Sequence, residues 1–584
     1  MRKQDFVTDT MSKFSSRGHI HRIRVFIIVA LVIVVLLLRV PSSVQTYAKL
    51  KDHSTPQIPI NPIVQLQEQL SQQVLGVKKG LDKSAVNQYW DDVFAIYRKH
   101  NINNTPSQMP VPGSEGYGFD PTGMNPTKSF LEARTKIPDS LVRDIKRVFG
   151  SLMTDLPKQL LPATYKSGSS GVVMIGGGRF SWLSYLSILS LRRTGSNLPV
   201  EVILPTYKEY EEELDFCKLT LPKLNAMCIV APEVLGESVM ISLPEKFKSY
   251  QYKSLAIISS TFQNVFLLDS DNIVLRNPDH IFNSKLFKSV GLITWPDYWR
   301  RSTHPVFYNI TNINVNLKRR TRYNRFPLVS NEDLKESDLK DVPFHDLDGA
   351  VPDLSTESGQ LFINKKTHGR SLLLATYFNM YGPKFFYRLL GQGAPGDGDK
   401  DTFVAAAHVL GEDFYQVKSF IQTVGHFEPD GFHGVAMLQK DPLKDFEFYS
   451  QELKTKLLPA KDKSLAEQVE IAKSIEQEHF TGQNTVPPFT VHCNFPKLDP
   501  LDLMSRESIY NATENRLKYK MFNGFTYISP AHEQEVEFEH HQWLTIEDTL
   551  CHQKVHFSHF DNHDLKHICQ FIANHLSTFQ KPTT

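Results

Sequence analysis

The sequence predicts an α/β fold organised around a parallel sheet, and three observations carry that expectation. Gly171-Val-Val-Met-Ile reads as a buried strand, Trp182 to Arg193 as a helix, and Pro199-Val-Glu-Val-Ile-Leu-Pro as a second strand. This β–turn–α–β order is what parallel strands joined by a crossover helix look like. A further helix, Tyr252 to Ser259, precedes the apolar strand Val265 to Leu268, which ends in two carboxylates, Asp269 and Asp271. The chain has 584 residues, 41% apolar and 22% charged, a globular composition long enough for more than one domain.

Taken in order, the N-terminus is an address. Val25 to Leu38 is an uninterrupted apolar run bounded by Arg24 and Arg39. It is shorter than the ~20 residues of a typical span. Ile23 and Val40 lengthen it if the arginines snorkel. Arg2, Lys3, Lys13, Arg17, Arg22 and Arg24 precede it, which puts residues 1–24 in the cytoplasm and the rest in a lumen. A cleaved signal peptide is the rival, but Pro41 to Ala48 makes a poor cleavage site. The expectation is a type II signal-anchor at residues 25–40.

Residues 41–165 read as a lumenal stem with leading helices. Prolines and polar residues dominate to about residue 125, apart from Trp90, Val93, Phe94 and Tyr97 at helical spacing within Val86 to Tyr97. A second helix is expected over Ile137 to Leu152. A lumen makes Asn103-Asn-Thr, Asn309-Ile-Thr and Asn511-Ala-Thr glycosylation acceptors. It also allows two local bridges, Cys217–Cys228 and Cys551–Cys569, leaving Cys493 free; five buried thiols are the alternative. The formal net charge of +2 gives no support to nucleic-acid binding.

The catalytic domain is expected from residue 166 to 584. Ligands of open α/β sheets bind at strand ends. Asp269 and Asp271 there form a hard oxygen site for Mg²⁺ or Mn²⁺, and such an ion can hold a diphosphate. Gly176 to Gly178, represented by Gly177, reads either as a phosphate cradle at a helix start or as a tight turn. Glu357-Ser-Gly-Gln places a carboxylate just before a strand, and Gly396-Asp-Gly-Asp-Lys-Asp-Thr-Phe places Asp399 and Asp401 before a helix, Thr402 to Leu410. His492 sits at a strand end, five residues before Lys497. Trp295 reads as core, whereas Asp297, Arg300, Arg301 and His304 bring polarity to an apolar stretch and read as functional.

These segments, in this order, resemble a known family. Leu267-Leu-Asp-Ser-Asp-Asn, Gly291-Leu-Ile-Thr-Trp-Pro-Asp-Tyr-Trp-Arg-Arg-Ser-Thr-His-Pro, Glu357-Ser-Gly-Gln and Gly396-Asp-Gly-Asp-Lys-Asp-Thr-Phe are similar to the fungal Golgi α-mannosyltransferases that build mannan outer chains. The branch resembled is the α-1,2-mannosyltransferases of glycosyltransferase family 71. The likeness covers roughly residues 171 to 500, with the anchor-and-stem layout.

The resemblance implies a GT-A-like, Rossmann-type domain, GDP-mannose as donor, Mn²⁺ as the usual metal, and a mannan or N-glycan acceptor at the Golgi membrane. It further implies a late histidine as third ligand beside Asp269 and Asp271. His492 is the choice and His433 the competitor. Lys253 and Lys497 would meet the donor, and Glu357, Asp399 and Asp401 would surround the sugar. Transfer would retain configuration, by a covalent carboxylate intermediate or by front-face attack. The rivals keep the fold but make α-1,3 links or serve a phosphomannose-related role. A third reading is a non-catalytic subunit within a complex of transferases; its mark would be loss of Asp269, Asp271 or the His492–Lys497 pair. The histidine-rich tail, with His552-x-x-x-His556 and His563-x-x-x-His567, reads as a cap rather than a zinc site.

Overall fold

The computed structural model describes residues 83–102, 125–244, 247, 249–480, 486–529 and 533–579. Among these, no helix is long and apolar enough to cross a membrane. The expected anchor at residues 25–40 and the sequon at Asn103 lie outside the described residues.

A seven-stranded sheet organises the chain. Its strands are β1 (Lys166–Ile175), β2 (Val200–Leu204), β3 (Ala226–Val230), β4 (Phe262–Leu268), β6 (Leu292–Pro296), β7 (Thr356–Asn364) and β8 (Tyr415–Gln416). The spatial order is β8-β6-β7-β4-β1-β2-β3. Strands β1 to β4 are parallel, as the early β–α–β order requires. Strand β7 runs antiparallel between β4 and β6, so the sheet is mixed. Glu357 therefore lies inside a central strand rather than before one.

Alternation along the strands separates two cores. Val173, Val265, Leu267, Leu361 and Ile363 face one. Val172, Met174, Phe266, Leu268 and Phe362 face the other. Phe266 and Phe362 are register partners, and their rings stack at 4.2 Å. A sheet covered on both faces reads as unbroken apolar runs, which is why Val265 to Leu268 shows no alternation.

The first core also takes in helices assigned from sequence to the stem and its leading segment. Helix α1 (Lys83–Lys99) buries Trp90, Val93, Phe94 and Tyr97 there, and Tyr97 Oη donates to Leu373 O at 2.7 Å. Helix α2 (Lys128–Arg134) and helix α3 (Asp139–Asp155) add Leu131, Ile145, Phe149 and Leu152. An aromatic stripe of that size needs a partner surface, and the sheet's helical layer supplies it.

The second core is closed by helix α4 (Arg179–Arg193) and by the C-terminal helices α6 (Phe538–Glu547) and α7 (Leu565–Leu576), through Trp182, Trp543, Phe571 and Ile572. The histidine-rich tail is thus largely helical and packed. None of its described histidines joins a cluster fit for a metal. Cys217–Cys228 and Cys551–Cys569 are disulfides, and Cys493 is free and buried.

A smaller antiparallel sheet leans on the same core. It comprises β5 (Asn272–Val274), β9 (Gln422–Glu428), β10 (Gly431–Lys440) and β11 (Pro488–His492), in the order β9-β10-β11-β5. The Asp269-Ser-Asp271 turn joins β4 of the large sheet to β5 of the small one.

Candidate active site

Register builds the site. His492 pairs with Asn272 across β11 and β5, which sets the imidazole beside the neighbouring Asp271. Asp269 N donates to Gly359 O at 2.7 Å, and Asn272 Nδ2 donates to the same carbonyl at 2.8 Å. The turn carrying both carboxylates is therefore pinned to β7 next to Glu357.

The charged groups interlock. His492 Nε2 lies 3.4 Å from Asp271 Oδ1, and its Nδ1 lies 3.4 Å from Glu357 Oε1. Lys497 Nζ pairs with Asp271 Oδ2. Lys253, on helix α5 (Tyr252–Ser259), stands 2.8 Å from Asp269 Oδ2 and 3.9 Å from Asp399 Oδ2, and donates to Ser358 O at 3.0 Å. Gly359 N donates to Glu357 Oε1 at 2.6 Å.

Titration reflects this packing. Burial works to lower the His492 imidazole, but Asp271 and Glu357 outweigh it and push it up to about 10. Burial likewise opposes the Asp271 carboxylate, yet His492 and Lys497 hold it well below the usual range. Lys253 is pushed up the same way, burial being overcome by Asp269, Asp399 and Glu357. Asp399 goes the other way: burial, only partly offset by Lys253, raises it to about 6.

Lys253, Asp269, Asp271 and Lys497 border a cavity of about 260 Å³, together with Ile175, Phe180, Tyr250 and Ser270. Its lining combines apolar and aromatic side chains with two lysines and two carboxylates. Ligand atoms of Asp269, Asp271 and His492 all lie within 4.8 Å of one another. Two carboxylates and one imidazole suit a divalent ion such as Mn²⁺. The residues present fit the expected metal.

The expected residues divide clearly. Asp269, Asp271, His492, Lys253, Lys497, Glu357 and Asp399 converge. His433 stands apart, half-buried and bonded through Nε2 to Asp430 Oδ1 at 2.8 Å, so His492 is the imidazole beside the pair. Asp401 does not line the cavity: its carboxylate accepts from Arg301 Nη1 at 2.7 Å and Thr356 N at 2.8 Å.

Gly177 belongs to the tight turn that precedes α4. Its φ is +102°, its N–H is taken by Ser181 Oγ at 2.9 Å, and it does not line the cavity. The polar residues near Trp295 serve the fold. Asp297 pairs with Lys400, Arg300 with Asp353, Arg301 with Asp401, and His304 Nε2 contacts Thr135 O. Each was expected to be functional because burial of charge looks the same in sequence whether it serves a ligand or a neighbour.

Asn309 is exposed, at the end of a short helix. Asn511 Oδ1 accepts from Thr513 N and Glu514 N within a turn. Sequence reasoning passed over Tyr250, Phe180 and Ser358. Only Tyr250 carried a signal, lying three residues before Lys253 and so on its side of a helical turn.

A strand-end carboxylate pair, a histidine and two lysines thus form one charged cluster beside the cavity. A family model described as "Mannosyltransferase putative" matches residues 169–441, which holds Asp269, Asp271, Glu357 and Asp399. The chain is 45% identical to the α-1,2-mannosyltransferase MNN23 of Candida albicans over 474 residues, 78% of each chain. It is 35% identical to MNN22 of the same organism, covering 91% of this chain and 92% of that one. It is 39% identical to MNN2 of Saccharomyces cerevisiae, covering 71% and 70%. The chain belongs to the α-1,2-mannosyltransferase family. Among solved structures, the galactosyltransferase LgtC aligns with 42% of this chain and 73% of its own, at 11% identity and a TM-score of 0.24.

Proposed function

We propose that this protein moves mannose from GDP-mannose onto a mannose of a mannan or N-glycan outer chain, forming an α-1,2 link with retained configuration. The observation that carries the reading is the convergence of Asp269, Asp271 and His492 on one point at the edge of a cavity that also presents Lys253 and Lys497. Family membership supports the sugar and the linkage.

Asp269, Asp271 and His492 would hold Mn²⁺, or Mg²⁺, in a GT-A-like arrangement. When bound, such an ion supplies charge neutralisation for the departing diphosphate. The chain's own residues do the rest. Lys497 brings a second positive charge to the same oxygens. Lys253 orients the Asp269 carboxylate and links it to Asp399. Glu357 steadies the far side of the His492 ring, as carboxylates do behind metal-ligating histidines. Phe180, Ile175 and Tyr250 give the nucleoside an apolar wall and exclude water. Type II anchoring in the Golgi membrane through residues 25–40, glycosylation at Asn103, Asn309 and Asn511, and assembly with other transferases belong to the same reading.

Incubating the full chain with GDP-mannose, Mn²⁺ and an unbranched α-1,6-mannan, then determining linkage by methylation analysis, tests it. The expected product is a 2,6-di-O-substituted mannose. A 3,6-di-O-substituted product would replace the linkage, and no transfer to any mannoside would reject the activity.

A further inference from the structure

The hairpin of β9 and β10 carries a second constellation, remote in role from the cavity. Alternation divides its two faces. Phe427 and Phe432 are register partners on one face, with rings 5.3 Å apart. His426 and His433 are register partners on the other, with rings 5.8 Å apart and nearly parallel. Glu428, two residues beyond His426, shares the histidine face, and Asp430 occupies the turn.

The polar groups form two histidine–carboxylate pairs. His426 Nε2 lies 2.9 Å from Glu428 Oε1, and His433 Nε2 lies 2.8 Å from Asp430 Oδ1. Ligand atoms of Glu428, Asp430 and His433 all fall within 4.8 Å of one another, the one other such cluster among the described residues, and His426 stands beside it through its contact with Glu428. His426 is only 4% exposed, is stacked on Tyr519 at 5.0 Å, and keeps Nδ1 without a hydrogen-bond partner. Tyr519 and Glu428 thus fix this ring with Nε2 toward the cluster. The Asp430 side chain, by contrast, is 73% exposed, so the cluster has an open side for entry.

We infer that Glu428, Asp430 and His433 form a zinc-class divalent metal site that clips the β9–β10 hairpin, with His426 closing on it as the fourth ligand when the ion binds. Two imidazoles and two carboxylates make a four-donor set of intermediate softness, suited to tetrahedral Zn²⁺ and poorly suited to Mg²⁺ or Ca²⁺. Zinc would take the place of the two histidine–carboxylate contacts. The clip acts near the catalytic strand, because β10 pairs with β11 through Met437 and His492, and Val435 O accepts from Phe495 N.

The test uses the full chain, stripped with a chelator, dialysed against Zn²⁺ and assayed for bound metal. An Asp269→Asn/Asp271→Asn background disables the cavity pair. One zinc per chain is expected there, with an X-ray absorption signature of two imidazoles. His433→Ala and the near-isosteric Asp430→Asn should each weaken zinc binding at least tenfold. In the otherwise native chain, His433→Ala should lower zinc content by one equivalent. Zinc binding unchanged by both substitutions, or no zinc retained by the native hairpin, overturns the site.

Discussion

A Cβ placed on Gly359 would stand 2.7 Å from His492 Cε1 and 2.8 Å from Glu357 Oε1. The glycine in Glu357-Ser-Gly-Gln is therefore the space in which the imidazole sits. Gly359→Ala should push His492 off the Asp269–Asp271 pair. Misplacing a reacting group by about 1 Å can cost on the order of 10²-fold in rate, and overpacking destabilises by roughly 1–3 kcal/mol. Gly398→Ala is the control, since its Cβ comes no closer to a neighbour than 3.5 Å, from Tyr250, an ordinary van der Waals contact. Measured kcat/KM should fall in the first variant and hold in the second. Full activity in Gly359→Ala would show that His492 need not stay where it is.

Asp271 sits between His492 and Lys497, and Asp271→Asn removes the charge both rely on. The variant should lose Mn²⁺ binding by calorimetry and transfer activity by on the order of 10²–10³-fold, with an unchanged far-ultraviolet spectrum. In the native chain the His492 proton, held to about 10 without metal, must leave before the ring can ligate. Mn²⁺ affinity should therefore rise about tenfold per pH unit between pH 6 and 8, with one proton released. A flat pH profile would remove His492 from the ligand set.

Much of this was legible because local pattern and tertiary placement agree. The Val265 to Leu268 run, helix α5 and the strand before His492 fall where the sequence predicts them. Strand β7 shows where legibility stops. Its apolar content marks a strand, but only pairing partners decide direction, and they lie some 90 residues upstream in Leu268 and Leu267. Residues Asp297 to His304 mark a second limit. Their charges are buried against partners 50 to 170 residues distant, a relation no local window contains.

Asp401 illustrates that limit in a form that can be measured. Arg301 is 1% exposed and spends one guanidinium nitrogen on the Asp401 carboxylate. Asp401→Ala leaves that charge buried without its counter-ion, which costs about 3–5 kcal/mol. Urea unfolding should show the loss, while the fraction that remains folded keeps its Mn²⁺ affinity. Unchanged stability with abolished transfer would instead return Asp401 to the catalytic group.

Asp399 gives the opposite outcome, and pH reveals it. Its folded-state carboxyl is raised from 3.8 to about 6 by burial. A group raised on folding contributes stability that is complete below the unfolded value and is lost as pH rises through the folded one. Native Asp399 therefore becomes a growing cost between pH 4 and pH 7, reaching about 3 kcal/mol at roughly 1.4 kcal/mol per unit. Asp399→Asn carries no such charge. Its melting temperature should match the native protein's near pH 4 and exceed it near pH 7.5, while transfer falls because Lys253 keeps Asp269 but loses its second carboxylate. A variant less stable than the native chain at pH 7.5 would mean that the Lys253 pairing outweighs the burial of Asp399.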